Sequence, residues 1–486
     1  MRFRPRRMLH LLMAVTMVLF VVVNFHIQPS SREEEIRYQE MQMMGINPRP
    51  VEDMHVQVGN GPRHDEGGGD TKVGGGESDL KGVSLERPLH PRIVIAANEN
   101  HTEPLPFKGP DSSINTSDTE QIQREIRRIN EEQFVQNLNT FGLALGLDSI
   151  VMVVQVHNRV DHLRLLVESL QKVRNIEQVL LIVSHDVFSH ELNSLVRSIT
   201  FCPVLQIFFP YSQQIYHDRF PGNDPNDCPR DIKKDQALIK KCNNAEYPDK
   251  YGHYRESKYC QTKHHWIWKL QFVFERVRLL EGYGGHVLLL EDDYYVSEDI
   301  LFSLKMMNNL RNKDCPDCRM LVLGNYDKTQ NYIVNGGKVE RAYWISSKHN
   351  MGMAFTKSLW HLIKKCGQEF CDFDDYNWDW TLQHLSMKCI PDKIRLLKMK
   401  ATRIFHLGEC GGMHTKNKNC DLAAKAKQVG ETLSKNQQYL FPNTIVINGE
   451  SRLKLRDPKP NGGWGDLRDR TMCKSFFNAS IAPFLR

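Results

Sequence analysis

Three consecutive acids follow an apolar, strand-like segment near the middle of the chain. The segment 286–290 reads HVLLL, and Glu291, Asp292 and Asp293 come directly after it. Carboxylates at the end of a buried strand repel one another and lose hydration, and a bound cation offsets both costs. Oxygen ligands suit Mg²⁺ or Mn²⁺ shared with the phosphates of a substrate. The pattern predicts metal and phosphate chemistry here, and a solvated turn is the alternative.

A second cluster interleaves acids with aromatic residues over 371–380, which reads CDFDDYNWDW. A carboxylate in such a cluster acts as a general base or binds hydroxyl groups, and the faces of Trp and Tyr stack on sugar rings. The alternative is an aromatic rim of the core whose acids cap a helix. The candidates are Asp372, Asp374, Asp375 and Asp379, with Phe373, Tyr376, Trp378 and Trp380.

Two basic features accompany these acids. His406 ends the short run 403–406 (RIFH). A lone His at a strand end is more often structural, but imidazole also binds Mn²⁺ beside carboxylate and phosphate oxygens. The run 261–265 (QTKHH) places a Lys and two His at a predicted helix start, where an anion is favoured. A solvated helix cap is the alternative for this run.

The elements that position these residues alternate between strands and helices. Strand-like runs at 149–156, 178–183 and 204–209 are separated by amphipathic segments at 161–173 and 189–199. This order predicts an α/β fold with a parallel sheet, which binds ligands at the carboxyl ends of its strands. No glycine-rich dinucleotide motif follows the first strand and the sequence contains no Walker A motif, which disfavours oxidoreductases and P-loop enzymes. Candidate nucleotide contacts at the strand ends are Gln155, His157, Asn158, Arg159, His185 and Asp186.

The N-terminal part carries a membrane-targeting pattern. Four arginines precede an apolar run at 8–23, which predicts a cytosolic tail (1–7) and an uncleaved type II signal anchor (8–27). A cleaved signal peptide is the alternative. Sequons at Asn100, Asn115 and Asn478 and twelve cysteines, all between Cys202 and Cys473, agree with an oxidising lumen.

The remaining chain divides into a flexible stem at 28–141 and a folded body at 142–486. The stem is rich in Gly, Pro, Glu and Arg, although 120–139 has apolar residues near helical spacing. That segment is either a helix closing the stem or a weak coiled coil that pairs two copies into a homodimer. With 64 Lys and Arg against 58 Asp and Glu the net charge is +6, and the four N-terminal arginines hold most of it. A nearly neutral body excludes a nucleic-acid partner.

Several strings are long enough to indicate a family. The segments VVQVHNR, QTKHHWIWKL, DDYNWDWTLQ, RIFH and NGGWGDLRD resemble the N-acetylglucosaminyltransferase II family of Golgi enzymes, over about residues 149–476. The resemblance implies a GT-A fold and an inverting transfer of GlcNAc from UDP-GlcNAc, in β1,2 linkage, to the α1,6-arm mannose of N-glycans. That step converts hybrid to complex glycans, and it implies a type II protein of the Golgi membrane whose catalytic domain is lumenal.

The resemblance also assigns residues. It implies that Asp293 and His406 bind Mn²⁺ and that Asp379 is the catalytic base. Trp378 resembles a sugar contact, and Gln330 stands where the family has an arginine that contacts donor or acceptor. The implied UDP-sugar contacts are Gln155, Val156, His157, Asn158, Arg159, Asp186, Gln261, Thr262, Lys263, His264 and His265, with Glu291 and Asp292 at the acidic strand end.

The resemblance further implies a disulfide framework. It pairs Cys228 with Cys242, Cys315 with Cys318, Cys366 with Cys389, Cys371 with Cys473, and Cys410 with Cys420. Three other functions compete with the α1,6-arm enzyme: a transferase for the α1,3 arm, a membrane-tethered lectin without catalysis, and a glycoside hydrolase. The hydrolase gives no reason for a metal-like acidic cluster at a nucleotide-binding strand end.

Overall fold

The computed structural model describes residues 93–95, 109–408, 410 and 420–478. The predicted tail, the anchor at 8–27, the greater part of the stem and the sequon at Asn100 lie outside them. Among the described residues, no helix combines the length and apolarity needed to cross a membrane. The other two sequon asparagines, Asn115 and Asn478, are exposed.

The strands form one large mixed sheet and two small ones. From edge to edge the large sheet runs β14, β10, β12, β9, β11, β7, β4, β5, β6, β2, while β1 pairs with β3 and β8 with β13. The strands are β1 (Ile93–Ile95), β2 (Val135–Gln136), β3 (Leu143–Leu145), β4 (Ile150–Val156), β5 (Leu180–His185), β6 (Val204–Phe208), β7 (His286–Glu291), β8 (Tyr294–Val296), β9 (Met320–Val322), β10 (Lys338–Tyr343), β11 (Met353–Phe355), β12 (Arg395–Met399), β13 (Ile404–His406) and β14 (Val446–Glu450).

Helices cover the sheet and connect its strands. The helices of the described residues are α1 (Thr119–Glu132), α2 (Leu138–Phe141), α3 (Val160–Leu170), α4 (His190–Arg197), α5 (Lys234–Lys240), α6 (Ser257–Glu275), α7 (Ile300–Asp314), α8 (Tyr332–Asn335), α9 (Ser346–His349), α10 (Lys357–Lys365), α11 (Gly367–Asp372), α12 (Trp378–Lys388), α13 (Leu422–Lys435) and α14 (Leu467–Phe477).

The predicted α/β order is confirmed in the centre of the sheet. Strands β7, β4, β5 and β6 are parallel neighbours, and α3 and α4 connect β4 to β5 and β5 to β6. The parallel arrangement ends beyond β7, because β11 lies antiparallel between β7 and β9. The four central strands therefore present their carboxyl ends at one edge, where an α/β sheet binds ligands.

Strand β4 shows why the sheet has a core on both faces. All seven of its residues are buried. Val151 and Val153 belong to the core that contains Trp266 of α6, while Met152 and Val154 belong to the core that contains Leu163 of α3. A strand buried on both faces reads as a continuous apolar run rather than an alternating one, which explains its sequence.

The stem boundary at residue 141 stays a prediction, although residues between 109 and 141 pack on the body. A helix, α1, forms over Thr119–Glu132 of the segment predicted to be helical, and Ile122, Ile126 and Ile129 are buried with Phe208 and other body residues. Strand β2 then pairs antiparallel with β6. The apolar face of α1 is therefore used inside the chain, which removes the basis for the coiled-coil alternative.

Five pairs of cysteine sulfurs lie at disulfide distance, in the pairing that the resemblance implied. The pairs are Cys228–Cys242, Cys315–Cys318, Cys366–Cys389, Cys371–Cys473 and Cys410–Cys420. Cys202 and Cys260 are free and buried. The fourth pair joins α11 to α14 across 102 residues of sequence.

We expect the long-range bridge to stabilise the body most. Replacing Cys371 and Cys473 together by Ala should lower the free energy of unfolding by about 3–5 kcal/mol, because the cross-link restricts a long loop of the unfolded chain. Denaturant unfolding of the purified protein measures this loss. The control is the double exchange of Cys315 and Cys318, which closes only three residues. Equal losses in the two variants would contradict the expectation.

Candidate functional site

The acids after β7 meet an arginine from the loop after β4. Arg159 donates from Nη1 to Asp293 Oδ2 at 2.9 Å, and its Nη2 contacts Asp292 Oδ1. The backbone N–H of His157 donates to the other oxygen of Asp292 at 2.8 Å. Asp292 is fully buried and both its oxygens accept hydrogen bonds. Asp292 thus organises the strand ends, and its predicted contact to a substrate stays a prediction.

A buried lysine lies beneath the same acids. Lys269 of α6 donates from Nζ to Gln155 Oε1 at 2.7 Å, and both side chains are buried. Burial and the charge of Asp293 raise the pKa of Glu291 to about 7. Burial lowers the pKa of Lys269 to about 7, against the opposing charge of Glu291. Gln155 is thus held by a protein partner at the end of β4.

Asp293 and His406 fit the expected divalent cation. His406 Nε2 lies 3.4 Å from Asp293 Oδ2, and Asp293 Oδ1 is buried without a hydrogen-bond partner in the described structure. A Cβ at Gly408 would lie 2.4 Å from Asp293 Oδ2 and 2.5 Å from His406 Nε2, so only glycine fits beside the pair. Although burial opposes it, hydrogen bonding from His406 and the charge of Arg159 lower the pKa of Asp293 below its usual range. An ionised carboxylate with an unused oxygen beside an imidazole is a suitable start for an Mn²⁺ site.

A second polar group surrounds Asp186 at the end of β5. His157 Nδ1 contacts its Oδ2, and Gln261 of α6 donates to the same oxygen at 3.1 Å. His265 Nδ1 lies 3.8 Å away, while its Nε2 bonds Ser184 Oγ at 2.8 Å. Burial acts against protonation of His157, but Asp186 prevails and raises its pKa to about 9. These side chains form a preorganised polar group at the carboxyl ends of β4 and β5.

Not every residue predicted around these groups reaches them. Val156 is fully buried in the apolar core, whereas Asn158 is exposed and Thr262 is half-buried. Lys263 is fully buried and donates to the carbonyls of Phe373 (3.2 Å) and Asp375 (2.7 Å). The side chains of Val156 and Lys263 thus lie within the protein, and their predicted contacts to a donor stay predictions.

His264, another predicted donor contact of α6, also has a partner within the protein. It is 1% exposed, and its Nε2 bonds Asp469 Oδ1 of α14 at 3.0 Å. Asp469 also accepts from Arg255, at 2.7 Å, just before α6. His264 therefore belongs to a buried network that fixes the start of α6 against the C-terminal helix.

Asp379 lies in the first turn of α12 with its carboxylate held from two sides. Asn350 Nδ2 donates to Oδ2 at 3.0 Å, and the N–H of Trp380 donates to Oδ1 at 2.9 Å. Burial raises the pKa of Asp379 above its ordinary value, although both hydrogen bonds oppose that shift. A carboxylate with a raised pKa and fixed orientation is suited to accept a proton.

Tyr326 connects Asp379 with the metal-binding pair. Its hydroxyl donates to Asn350 Oδ1 at 2.8 Å, and its ring centroid lies 6.3 Å from that of His406. Tyr326 therefore lies between the candidate base and the candidate metal ligands.

The other acids of the 371–380 cluster have structural partners. Asp372 forms an ion pair with Lys474 at 2.6 Å. Asp374 accepts from the N–H groups of Lys250 and Trp464 at 2.7 and 3.1 Å. Asp375 accepts from the N–H groups of Asn377 and Asn461, each at 2.8 Å. The structural alternative is thus correct for three of the four acids.

Trp378, the predicted sugar contact, lies mainly in the core. Its indole is 7% exposed and stacks on Trp266 with ring centroids 4.5 Å apart. Gln330 also has partners within the protein. Its Oε1 accepts from Thr402 N at 2.9 Å, and its Nε2 donates to Asn325 Oδ1 at 2.7 Å. Trp378 packs the core beneath Asp379, and Gln330 closes a loop.

The sequence did not predict three residues of the site: Lys269, Asn350 and Tyr326. Lys269 had a detectable signal, because it is a lone charge in the apolar stretch 266–274 and lies four residues after His265. Asn350 and Tyr326 had none, since each is an ordinary polar residue in a short connection.

Comparison with known proteins identifies the family. The profile described as N-acetylglucosaminyltransferase II (MGAT2) matches residues 123–473. A pig protein named alpha-1,6-mannosyl-glycoprotein 2-beta-N-acetylglucosaminyltransferase is 42% identical over 400 residues, covering 82% of this chain and 89% of its own. The human protein of that name is 46% identical over 352 residues, covering 72% and 78%. The Arabidopsis thaliana protein of that name is 34% identical, covering 68% and 75%.

Solved structures with distant similarity include two bacterial or archaeal proteins. A mannosyltransferase from Pyrobaculum calidifontis, in complex with GDP-Man and Mn²⁺, has 10% identity and a TM-score of 0.27 over 52% of this chain and 56% of its own. Staphylococcus aureus TarS (residues 1–349) has 12% identity and a TM-score of 0.27 over 60% and 69%. Neither likeness bears on the site. The family profile and the curated relatives cover most of the chain, and they show that the chain belongs to the N-acetylglucosaminyltransferase II family.

Proposed function

We propose that this chain transfers GlcNAc from UDP-GlcNAc, with inversion, to the 2-hydroxyl of the α1,6-linked mannose of an N-glycan. Its family makes it a GlcNAc transferase of N-glycan synthesis. The observation that carries the mechanism is that Tyr326 connects two groups of the site, and we place the substrates in a cleft between them. Asp379 is oriented on one side by Asn350, and Asp293 lies beside His406 on the other.

The base assignment follows from hydrogen bonding. Asn350 and the N–H of Trp380 fix the Asp379 carboxylate, and neither donor saturates an oxygen, since each oxygen has further lone pairs. Asp379 accepts the proton of the mannose hydroxyl as that oxygen attacks the anomeric carbon. One base and one departing diphosphate suffice for a single displacement, so no covalent intermediate is required.

The donor is assigned to the opposite side of the cleft. Arg159 holds Asp293, and His406 approaches the same carboxylate, so both present positive or coordinating groups where a diphosphate would lie. Asp293 and His406 would hold Mn²⁺, which would supply positive charge against the departing diphosphate. Asp186, Gln261 and His157 form the hydrogen-bonding group for the nucleoside end of the donor.

The location of the enzyme is part of the same proposal. The basic tail and the apolar run at 8–23 support a type II anchor in the Golgi membrane. The five cysteine pairs support an oxidising lumen for the catalytic body, which we assign to the GT-A fold.

Removing the base should abolish transfer without removing donor binding. Asp379→Asn keeps the shape of the side chain but not its proton acceptor, so kcat should fall by about 10²–10⁴-fold. Affinity for UDP should stay within about twofold of the parent, since Asp379 lies across the cleft from the donor group. Product formation on a mono-GlcNAc N-glycan and UDP titration measure the two quantities. Asp372→Asn is the matched control, and substantial turnover by Asp379→Asn would exclude this base.

The pH dependence of kcat/KM should carry the signature of Asp379. Burial raises its pKa above 3.8, and only the carboxylate accepts a proton. Activity is therefore fully present above this raised pKa and is lost as the pH falls through it. A profile of kcat/KM against pH should show an acid limb displaced upward from that of an ordinary Asp. An acid limb that persists unchanged in the residual activity of Asp379→Asn would belong to another group.

Loss of the imidazole should weaken metal binding. His406→Ala removes one of two protein ligands, so the Mn²⁺ concentration for half-maximal activity should rise at least about tenfold. Mn²⁺ binding followed by electron paramagnetic resonance checks the affinity independently of turnover, and chelation should silence the parent enzyme reversibly. His217→Ala is the matched control, because His217 is 63% exposed. Unchanged Mn²⁺ affinity in His406→Ala would remove His406 from the site.

A further inference from the structure

A second cavity lies further along α6 than the donor residues Gln261 and His265. It has a volume of about 650 Å³ and is enclosed by α1, the segment after β6, and the C-terminal half of α6. Pockets of about 300–1,000 Å³ are typical of small-molecule sites. None of the residues assigned above to donor, metal or base lines it.

Aromatic side chains form the inner wall of this cavity. Trp268 and Phe272 come from successive turns of α6, and Tyr211 and Tyr216 come from the segment after β6. The rings of Tyr211 and Tyr216 lie 6.2 Å apart. Aromatic faces of this kind stack on the apolar faces of sugar rings, which carry hydroxyl groups at their edges.

An unpaired polar atom points to a ligand with hydrogen-bond donors. Gln271 lines the cavity and is 6% exposed. Its Oε1 is buried and has no partner among the described residues. A buried acceptor without a partner is costly, and a ligand hydroxyl or amide N–H that donates to it removes that cost.

The rim of the cavity is cationic. Arg127, Arg276 and Arg278 lie around it, against the single acid Glu131. The guanidinium of Arg278 already donates to the carbonyls of Glu131 and Glu132. Guanidinium groups recognise carboxylates, phosphates and sulfates through charge-assisted hydrogen bonds. The rim therefore favours an anionic group on the ligand.

We propose that this cavity is a second saccharide site, which binds a sugar ring carrying a carboxylate, phosphate or sulfate group. The aromatic wall receives the ring, Gln271 accepts from a hydroxyl group, and the arginine rim holds the anion. The site is separate from the donor site but shares a wall with it, because Phe209 stacks on His265 at 5.3 Å and packs against Tyr211 and Trp268.

Calorimetric titration of the purified full chain tests the site. The probes are N-acetylneuraminic acid, mannose 6-phosphate and N-acetylglucosamine 6-sulfate, compared with neutral mannose and with sodium sulfate. At least one anionic sugar should bind about tenfold more tightly than both comparison compounds, and which one does so identifies the anionic group. Binding should persist in saturating UDP and Mn²⁺. Equal affinity for sodium sulfate, no preference over mannose, or displacement by UDP would each overturn the proposal.

Two variants and a control locate the binding. Arg276→Gln should weaken binding of the anionic sugar by about tenfold, through loss of a charge-assisted contact at the rim. Gln271→Leu should weaken anionic and neutral sugars alike, because it removes the acceptor rather than the charge. Arg164→Gln, at an exposed position of α3, is the control and should leave binding unchanged. Equal effects of Arg276→Gln and Arg164→Gln would overturn the assignment. Titrations without donor or acceptor are independent of the transfer reaction, so failure here leaves the proposed function untouched.

Discussion

Three carboxylates at the end of one buried strand are the constraint on which the site depends. Glu291, Asp292 and Asp293 cannot remain close together and ionised in a largely buried setting unless positive groups approach them. Those groups come from three separate parts of the chain: Arg159 after β4, Lys269 from the middle of α6, and His406 from β13. Bringing them together requires the parallel centre of the sheet, its covering helix and the small β8–β13 sheet at once.

Side chains on different sides of the long helix α6 have different partners. Gln261 and His265 lie four residues apart on one face and meet Asp186, while Lys263 and His264 point toward the C-terminal segment. Side chains at i and i+4 share a helix face, whereas neighbours at i+1 and i+2 do not. Within the predicted run 261–265, Gln261 and His265 reach Asp186, whereas the side chains of Lys263 and His264 have other protein partners.

The parts that the sequence predicted well have strong periodicity. Strands β4, β5 and β6 are long apolar runs between amphipathic helices, so their order and parallel pairing were predictable. The later strands β9, β11 and β13 are three residues each, which is too short to show a periodic pattern of apolar residues. The packing of α1 on the body was not predictable for a different reason. The face of α1 that looked available for a coiled coil packs on Phe208, and the sequence does not say which surface an amphipathic helix covers.

The position of the candidate base depends on residues far from it in sequence. Asp375 precedes α12 and accepts hydrogen bonds from Asn461, while Asp374 accepts from Trp464. The Cys371–Cys473 pair joins the same region to α14. These contacts fix where α12 begins, and Asp379 follows one residue into that helix. The acids that resemble Asp379 in sequence are thus the ones that hold it in place. An acidic cluster can reveal a site without revealing which carboxylate is free to react, because that distinction depends on partners distant in sequence, such as Lys250, Asn461 and Trp464.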